Sequence, residues 1–260
     1  MAANSRDETK PTILAFHGSG SNGLIHTVQL ARLSRHLKDQ FNIEQVEAPF
    51  PSAAGPGVLP MFEGCGPYKR WIPPSEAVSI SGMKSGEGSS AMPLQVESLI
   101  RDTVTRVAAS GGKVAGLIAF SQGTRVLAGL LKGAEIRRAL GAPHDELAWL
   151  DFAFAISVCG SYPPPLVPQC AATALEKSGL GAAEQKAVLE GRIAVPTVHV
   201  QGLKDEWHWA GQLLIATCYE VGEEKSRVLE FEHDHVYPSV EDSKVVAEWV
   251  GQTWKEKGKR

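Results

Sequence analysis

The chain has 260 residues, of which 43% are hydrophobic, 21% charged and 7% aromatic. That balance describes a globular protein, large enough to bury roughly three quarters of its unfolded surface without disulfide or metal staples. A net charge of -3 leaves no basic footprint for nucleic acid or an anionic membrane, and no apolar run approaches the ~20 residues of a membrane span.

The N-terminus is polar and lacks a signal-peptide core, and the charged tail over 255–260 carries no targeting signal. Cys65, Cys159, Cys170 and Cys218 are widely spaced without a zinc pattern, so they read as reduced thiols of a soluble cytoplasmic protein. The expected organisation is one domain over 1–260, with a flexible N-terminus (1–10) and tail (255–260).

Thr12-Ile13-Leu14-Ala15-Phe16 reads as a buried strand ending at His17-Gly18. Leu30, Leu33 and Leu37 form a helical stripe, and 42–47 a second strand stopped by Pro49 and Pro51. Regularity then fails over 50–92, which is rich in Pro, Gly and Ser but carries Met61, Phe62, Tyr68, Trp71 and Ile72. A loop of that length is functional or disordered. Its first half is expected to cover a substrate as a partial lid, and 79–90 to be mobile. Val96, Leu99, Ile100, Val104 and Val107 mark a helix ended by Gly111-Gly112, followed by the apolar run Val114–Phe120, suited to a central parallel strand. Val126, Leu127, Leu130 and Leu131 mark the next helix, 152–158 a strand, and 171–191 one or two surface helices, read as part of a cap. Strands at 196–200 and 228–231 and a helix over 240–254 close the chain. Strands alternating with helices predict an α/β fold with a mostly parallel central sheet flanked by helices.

Ala119-Phe120-Ser121-Gln122-Gly123 follows the most apolar strand and opens a helix, the setting of a nucleophile elbow with Ala in place of the first Gly. Ala108-Ala109-Ser110-Gly111-Gly112 fits the same pattern, but at a helix end, where Gly is a C-cap. Taken alone, Ser121 also reads as a helix N-cap. A serine hydroxyl needs a base to become a nucleophile. Downstream, Asp205 stands just past a strand end in Gly202-Leu203-Lys204-Asp205, and His233 and His235 follow the last strand. Serine, acid and histidine thus occur in the hydrolase order, each at a strand end. The glycine-rich turn His17-Gly18-Ser19-Gly20-Ser21-Asn22 is placed to aim an N–H of Ser19, with that of Gln122, at an oxyanion. A phosphate cradle is the competing reading of this turn, without the P-loop or G-x-G-x-x-G spacing.

With these elements the chain resembles the fungal serine hydrolase family of the α/β-hydrolase superfamily, some of whose members release polyketide chains as thioesterases. The matching stretches are residues 14–22, Phe120-Ser121-Gln122-Gly123, Gly202-Leu203-Lys204-Asp205 and His235-Val236-Tyr237-Pro238, with Arg70-Trp71 in the variable insertion. The resemblance implies Ser121 as nucleophile, Asp205 as the acid that orients the histidine, His235 as base, and no metal or organic cofactor. The chain has His233-Asp234-His235 where the family usually has Gly-Gly-His; the distance to Pro238 favours His235 over His233. It implies an acyl ester or thioester substrate, carried on a synthase's carrier protein in secondary-metabolite biosynthesis. The alternatives are a short-chain carboxylesterase, an acyltransferase or cyclase, and a binding protein that keeps the fold without turnover. Apolar pocket residues are expected from Phe62, Trp71 and Trp207, with Met61, Tyr68 and Trp209 as further candidates.

Overall fold

The computed structural model describes residues 10–76, 78–141, 145–162, 164–222 and 224–258. The predicted flexible N-terminus, except Lys10, and the last two residues of the predicted tail lie outside them. In chain order the elements are β1 (Thr12–Phe16), α1 (Gly23–Gln29), α2 (Ala31–Leu37), β2 (Asn42–Val46), β3 (Phe50–Ser52), β4 (Tyr68–Arg70), α3 (Ile80–Ser85), α4 (Leu94–Ala109) and β5 (Val114–Phe120). There follow α5 (Gly123–Leu140), β6 (Phe154–Val158), α6 (Gln169–Glu176), α7 (Ala182–Glu190), β7 (Thr197–Gly202), α8 (His208–Cys218), β8 (Ser226–Phe231) and α9 (Val240–Lys257).

β1, β5 and β6 are buried at every position, as unbroken apolar runs in a doubly covered sheet must be. The sheet is six-stranded in the order β2-β1-β5-β6-β7-β8, with every pair parallel. Alternate residues feed two cores. Leu14, Phe16, Leu117 and Ala119 pack with Val96 and Ile100 of α4, Leu127 and Leu130 of α5 and Leu175 of α6. Ile13, Ala15, Ile118 and Ile156 pack with Leu33 and Leu37 of α2 and Val246 and Val250 of α9. The strand order reverses direction between β1 and β5, so the segments leaving their carboxyl ends diverge and open a crevice there. Among the described residues no helix is long and apolar enough to cross a membrane.

Three stretches differ from their sequence reading. The stripe at Leu30, Leu33 and Leu37 belongs to a broken helix: α1, capped by Asn22, ends at Leu30, and α2 restarts there. The stretch 50–92 holds real structure, an antiparallel β3–β4 pair and α3. The 79–90 portion, expected to be mobile, is built in: Ser79 caps α3, and the buried Arg125 of α5 donates to the Ser89 carbonyl at 2.8 Å. In 171–191, Ala171, Ala174 and Leu175 of α6 enter the core beside α5. Glu97 also caps α6 by accepting from the Gln169 and Cys170 N–H groups.

The start of α5 is pressed against β1. A Cβ on Gly123 would stand 2.5 Å from the Phe16 carbonyl oxygen and 2.8 Å from that of His17. Both obstacles are backbone, which cannot rotate away. Gly123→Ala is therefore expected to destabilise the protein by about 1–3 kcal/mol, the range for overpacking a close-packed site; urea denaturation at pH 7 measures it.

Candidate active site

Ser121 stands at the end of β5 with φ 49, and Cys159 at the end of β6 with φ 48. Left-handed backbone is costly for a residue with a Cβ, and it persists where surrounding bonds over-determine it. Here the Ser121 N–H donates to the Val158 carbonyl at 3.0 Å, while its own carbonyl accepts from Thr124 N (2.9 Å) and Thr124 Oγ1 (2.7 Å). The turn lifts the serine side chain above the sheet and sets it at the start of α5, whose free N–H groups and dipole favour negative charge.

Asp205 follows β7 and His235 follows β8, so both arrive at the same carboxyl edge. His235 Nδ1 donates to Asp205 Oδ2 at 2.7 Å, and the Asp205 side chain is 1% exposed. The other oxygen, Oδ1, accepts from Trp207 N at 2.8 Å. Burial pushes the Asp205 carboxyl up. The His235 hydrogen bond and charge, the Trp207 N–H and the Cys159 thiol outweigh it and hold the group below its ordinary value. An ionised aspartate only accepts, so the ring proton sits on Nδ1 and Nε2 is left as a base. His233 is placed differently: its Nδ1 lies 2.8 Å from the Asp234 carbonyl and its ring lies near Phe231.

Ser121 and His235 line one cavity of about 180 Å³ at the sheet's crevice. Among the described residues no hydrogen bond joins the serine hydroxyl to the histidine ring; apo sites commonly tighten only when substrate binds. Ser19 and Gln122 line the same cavity, and Pro56, Val58 and Met83 contribute to it from the 50–92 segment.

The predicted pocket residues separate. Trp207 lines the cavity, whereas Trp71 and Phe62 are not in its wall. Trp71 is fully buried: its ring packs on Phe16 and His17, and Nε1 donates to the His17 carbonyl at 2.7 Å. Its backbone N–H donates to Gln122 Oε1 at 2.8 Å. Trp71 therefore ties the elbow residue Gln122 to the turn after β1. Phe62 is half-buried, and its carbonyl accepts from the Tyr68 hydroxyl. Of the further candidates, Met61 is 80% exposed, and the Trp209 ring sits under Lys84 Nζ at 5.1 Å.

Several contributors escaped the sequence reading. Tyr237 anchors the His235 loop: its ring stacks on Phe120 and its hydroxyl lies 2.7 Å from His26 Nε2. His26 Nδ1 lies 2.7 Å from Gln45 Oε1, an acceptor, so His26 donates there and accepts from Tyr237. Burial lowers the His26 pKa to about 3, keeping the ring neutral. His17 is held likewise, with Nδ1 2.7 Å from the Gly18 carbonyl, Nε2 accepting from Ala48 N, and burial lowering its pKa. Cys159 places its Sγ within 4.8 Å of the Asp205 and His235 ligand atoms and donates to the Val236 carbonyl at 3.6 Å. Burial, then the Asp205 charge, pushes this thiol well up, so it is a protonated donor beside the acid. The only signal for these residues was proximity to the motifs, as with Tyr237 two positions after His235.

Comparison with known proteins identifies the family and the fold of the chain. The family described as "Serine hydrolase (FSH1)" matches residues 6–246. The chain is 31% identical to the thioesterase FSL2 of Gibberella zeae, covering 97% of this chain and 96% of that protein. It is 31% identical to the dihydromonacolin L-[lovastatin nonaketide synthase] thioesterase of Aspergillus terreus (87% and 85% covered). It is 32% identical to the esterase pigG of Monascus ruber (88% and 85%). Among solved structures, the Zea mays acyl-protein thioesterase 2 superposes with a TM-score of 0.52 at 18% identity, covering 94% of both chains. A Mesorhizobium loti carboxylesterase gives 0.52 at 14%, covering 94% and 91%. These two share the α/β-hydrolase fold with this chain.

The buried neutral histidines make stability depend on pH. His26 and His199 have pKa values of about 3 in the fold against 6.5 ordinarily, so between those values the unfolded chain binds more protons than the native one. Stability is then complete above pH 6.5 and falls as pH drops through that window; Asp205, also lowered, adds in the same direction below its ordinary 3.8. Urea midpoints measured from pH 7 to pH 4 are expected to fall steadily, and less steeply in His26→Gln.

Proposed function

The chain belongs to the FSH1 serine hydrolase family, and on that premise we propose that Ser121, Asp205 and His235 are its catalytic triad, hydrolysing an acyl thioester or ester through an acyl-enzyme. The observation that carries the assignment is the 2.7 Å Asp205–His235 hydrogen bond, made by a histidine that lines the same cavity as Ser121 on its strained turn.

His235 Nε2 takes the Ser121 proton as Oγ attacks the carbonyl carbon. The carbonyl oxygen becomes an oxyanion, received by the N–H groups of Ser19 and Gln122, with the start of α5 behind the second. Collapse expels the thiol or alcohol, which takes the proton back from His235. Water then enters, gives a proton to His235 and attacks the acyl-serine; the acid leaves and Ser121 recovers its proton. The mechanism uses no group beyond these residues and water.

A thioester delivered by a synthase's carrier protein in polyketide biosynthesis is the favoured substrate. Relatives named as thioesterases, one for a nonaketide synthase, support it. The 50–92 segment acts as a partial lid, since Pro56, Val58 and Met83 form one wall of the cavity. Free cysteines at Cys65, Cys159, Cys170 and Cys218 suit work in the reducing cytoplasm.

An alkyl fluorophosphonate is expected to label the protein once, on Ser121, and to leave Ser121→Ala unlabelled. Asp205→Asn should lower kcat on a thioester by about 10⁴-fold, as when the acid that fixes the histidine tautomer is lost. Labelling elsewhere, or full activity in either variant, would sink the assignment.

A further inference from the structure

Among the described residues, two other than glycine have positive φ, and they end neighbouring strands of the sheet. One is Ser121, after β5. The other is Cys159, after β6, with φ 48. Gly160 follows directly, so the left-handed position is not the one that glycine occupies. A side chain kept on strained backbone points to a role for that side chain.

Cys159 is held there from both sides. Its N–H donates to the Val200 carbonyl of β7 at 2.9 Å. Two residues on, the Ser161 N–H donates to Thr124 Oγ1 of α5 at 2.8 Å. Cys159 is 1% exposed and is not among the residues of the cavity wall, so it is not a substrate contact.

The thiol stands instead between the loops that carry the acid and the base. Sγ donates to the carbonyl of Val236, the residue after His235, at 3.6 Å. Sγ, an Asp205 carboxylate oxygen and a His235 ring nitrogen all lie within 4.8 Å of one another. Asp205 follows β7 and His235 follows β8, so one side chain at the end of β6 reaches both loops.

An ionised carboxylate offers about four acceptor sites. His235 Nδ1 fills one on Oδ2, and Trp207 N fills one on Oδ1. The Asp205 side chain is 1% exposed, so bulk water does not serve the others, and a buried charge short of donors is costly. Burial pushes the Asp205 carboxyl up, and the Cys159 thiol is among the donors that outweigh it. A buried cysteine can also be a small apolar filler, and Cys159 belongs to the core with Phe120, Val158 and Tyr237. Filling space, however, needs neither left-handed backbone nor a donor.

Building on the hydrolase reading above, we propose that Cys159 is a positioning residue of the reaction, its thiol clasping the Asp205 loop to the His235 loop and so fixing the hydrogen-bonded pair they form. Asp205 sets the tautomer of the ring; the clasp sets where the acid and the ring stand relative to each other.

The test is the rate at which an alkyl fluorophosphonate labels Ser121, resolved into a limiting rate and a saturation constant. The proteins are the wild type, Cys159→Ala, Cys159→Gly and Cys159→Ser. Without a donor, in Cys159→Ala and Cys159→Gly, the limiting rate should fall about 10-fold, short of the roughly 10²-fold that a 1 Å misplacement can cost. The saturation constant should stay within about twofold, because Cys159 is outside the cavity wall. Cys159→Ser, whose hydroxyl also donates, should recover the limiting rate to within about threefold of the wild type. Glycine suits φ 48, so Cys159→Gly keeps the test open if Cys159→Ala does not fold. Equal rates in all four proteins, Cys159→Ser as slow as the variants without a donor, or a loss confined to the saturation constant overturns the clasp and leaves the hydrolase. No labelling of the folded wild type removes the hydrolase reading itself.

Discussion

The turn after β5 forces Ser121 to φ 49, a conformation that costs a residue with a Cβ about 1–3 kcal/mol. What surrounds it makes that conformation the only one available. The Ser121 N–H is tied across the sheet to Val158, and its carbonyl is held by Thr124. Gly123 admits the Phe16 and His17 carbonyls at a distance that any side chain would forbid. Trp71 bonds to both sides of the crevice at once, to His17 through its indole and to Gln122 through its backbone.

Around that turn the same residue types do different work because their surroundings differ. His17, His26 and His199 are buried and kept neutral, and the first two act as fixed donor–acceptor pieces linking loops. His235 is partly exposed, bonded to an ionised aspartate, and lines the cavity. Asp205 is buried like the structural histidines, yet it keeps its charge because three donors converge on it. Desolvation alone would have pushed its pKa up, and a neutral acid would leave the histidine tautomer unspecified.

Legibility in the sequence tracked how local each determinant was. β1, β5 and β6 were readable because a strand buried on both faces must be apolar throughout, and that needs no knowledge of neighbours. The 50–92 segment was not readable as structure: β3 and β4 are three residues each and are defined by pairing across a gap. Trp71 shows the limit most clearly. A tryptophan in a Pro- and Gly-rich stretch suggests a pocket wall. Only the fold reveals that the chain returns beneath the elbow and buries that indole completely.

By itself the sequence determined the alternation of strands and helices, hence the parallel sheet, and it placed Ser121, Asp205 and His235 each just beyond a strand. Those properties follow from periodicity and order along the chain. Which histidine faces Asp205 and which aromatic residues line the cavity were decided by tertiary structure. Such questions concern distances between loops that leave different strands. No local pattern encodes those distances; they are set by the strand order, the twist of the sheet and the packing of the segments laid across its carboxyl edge.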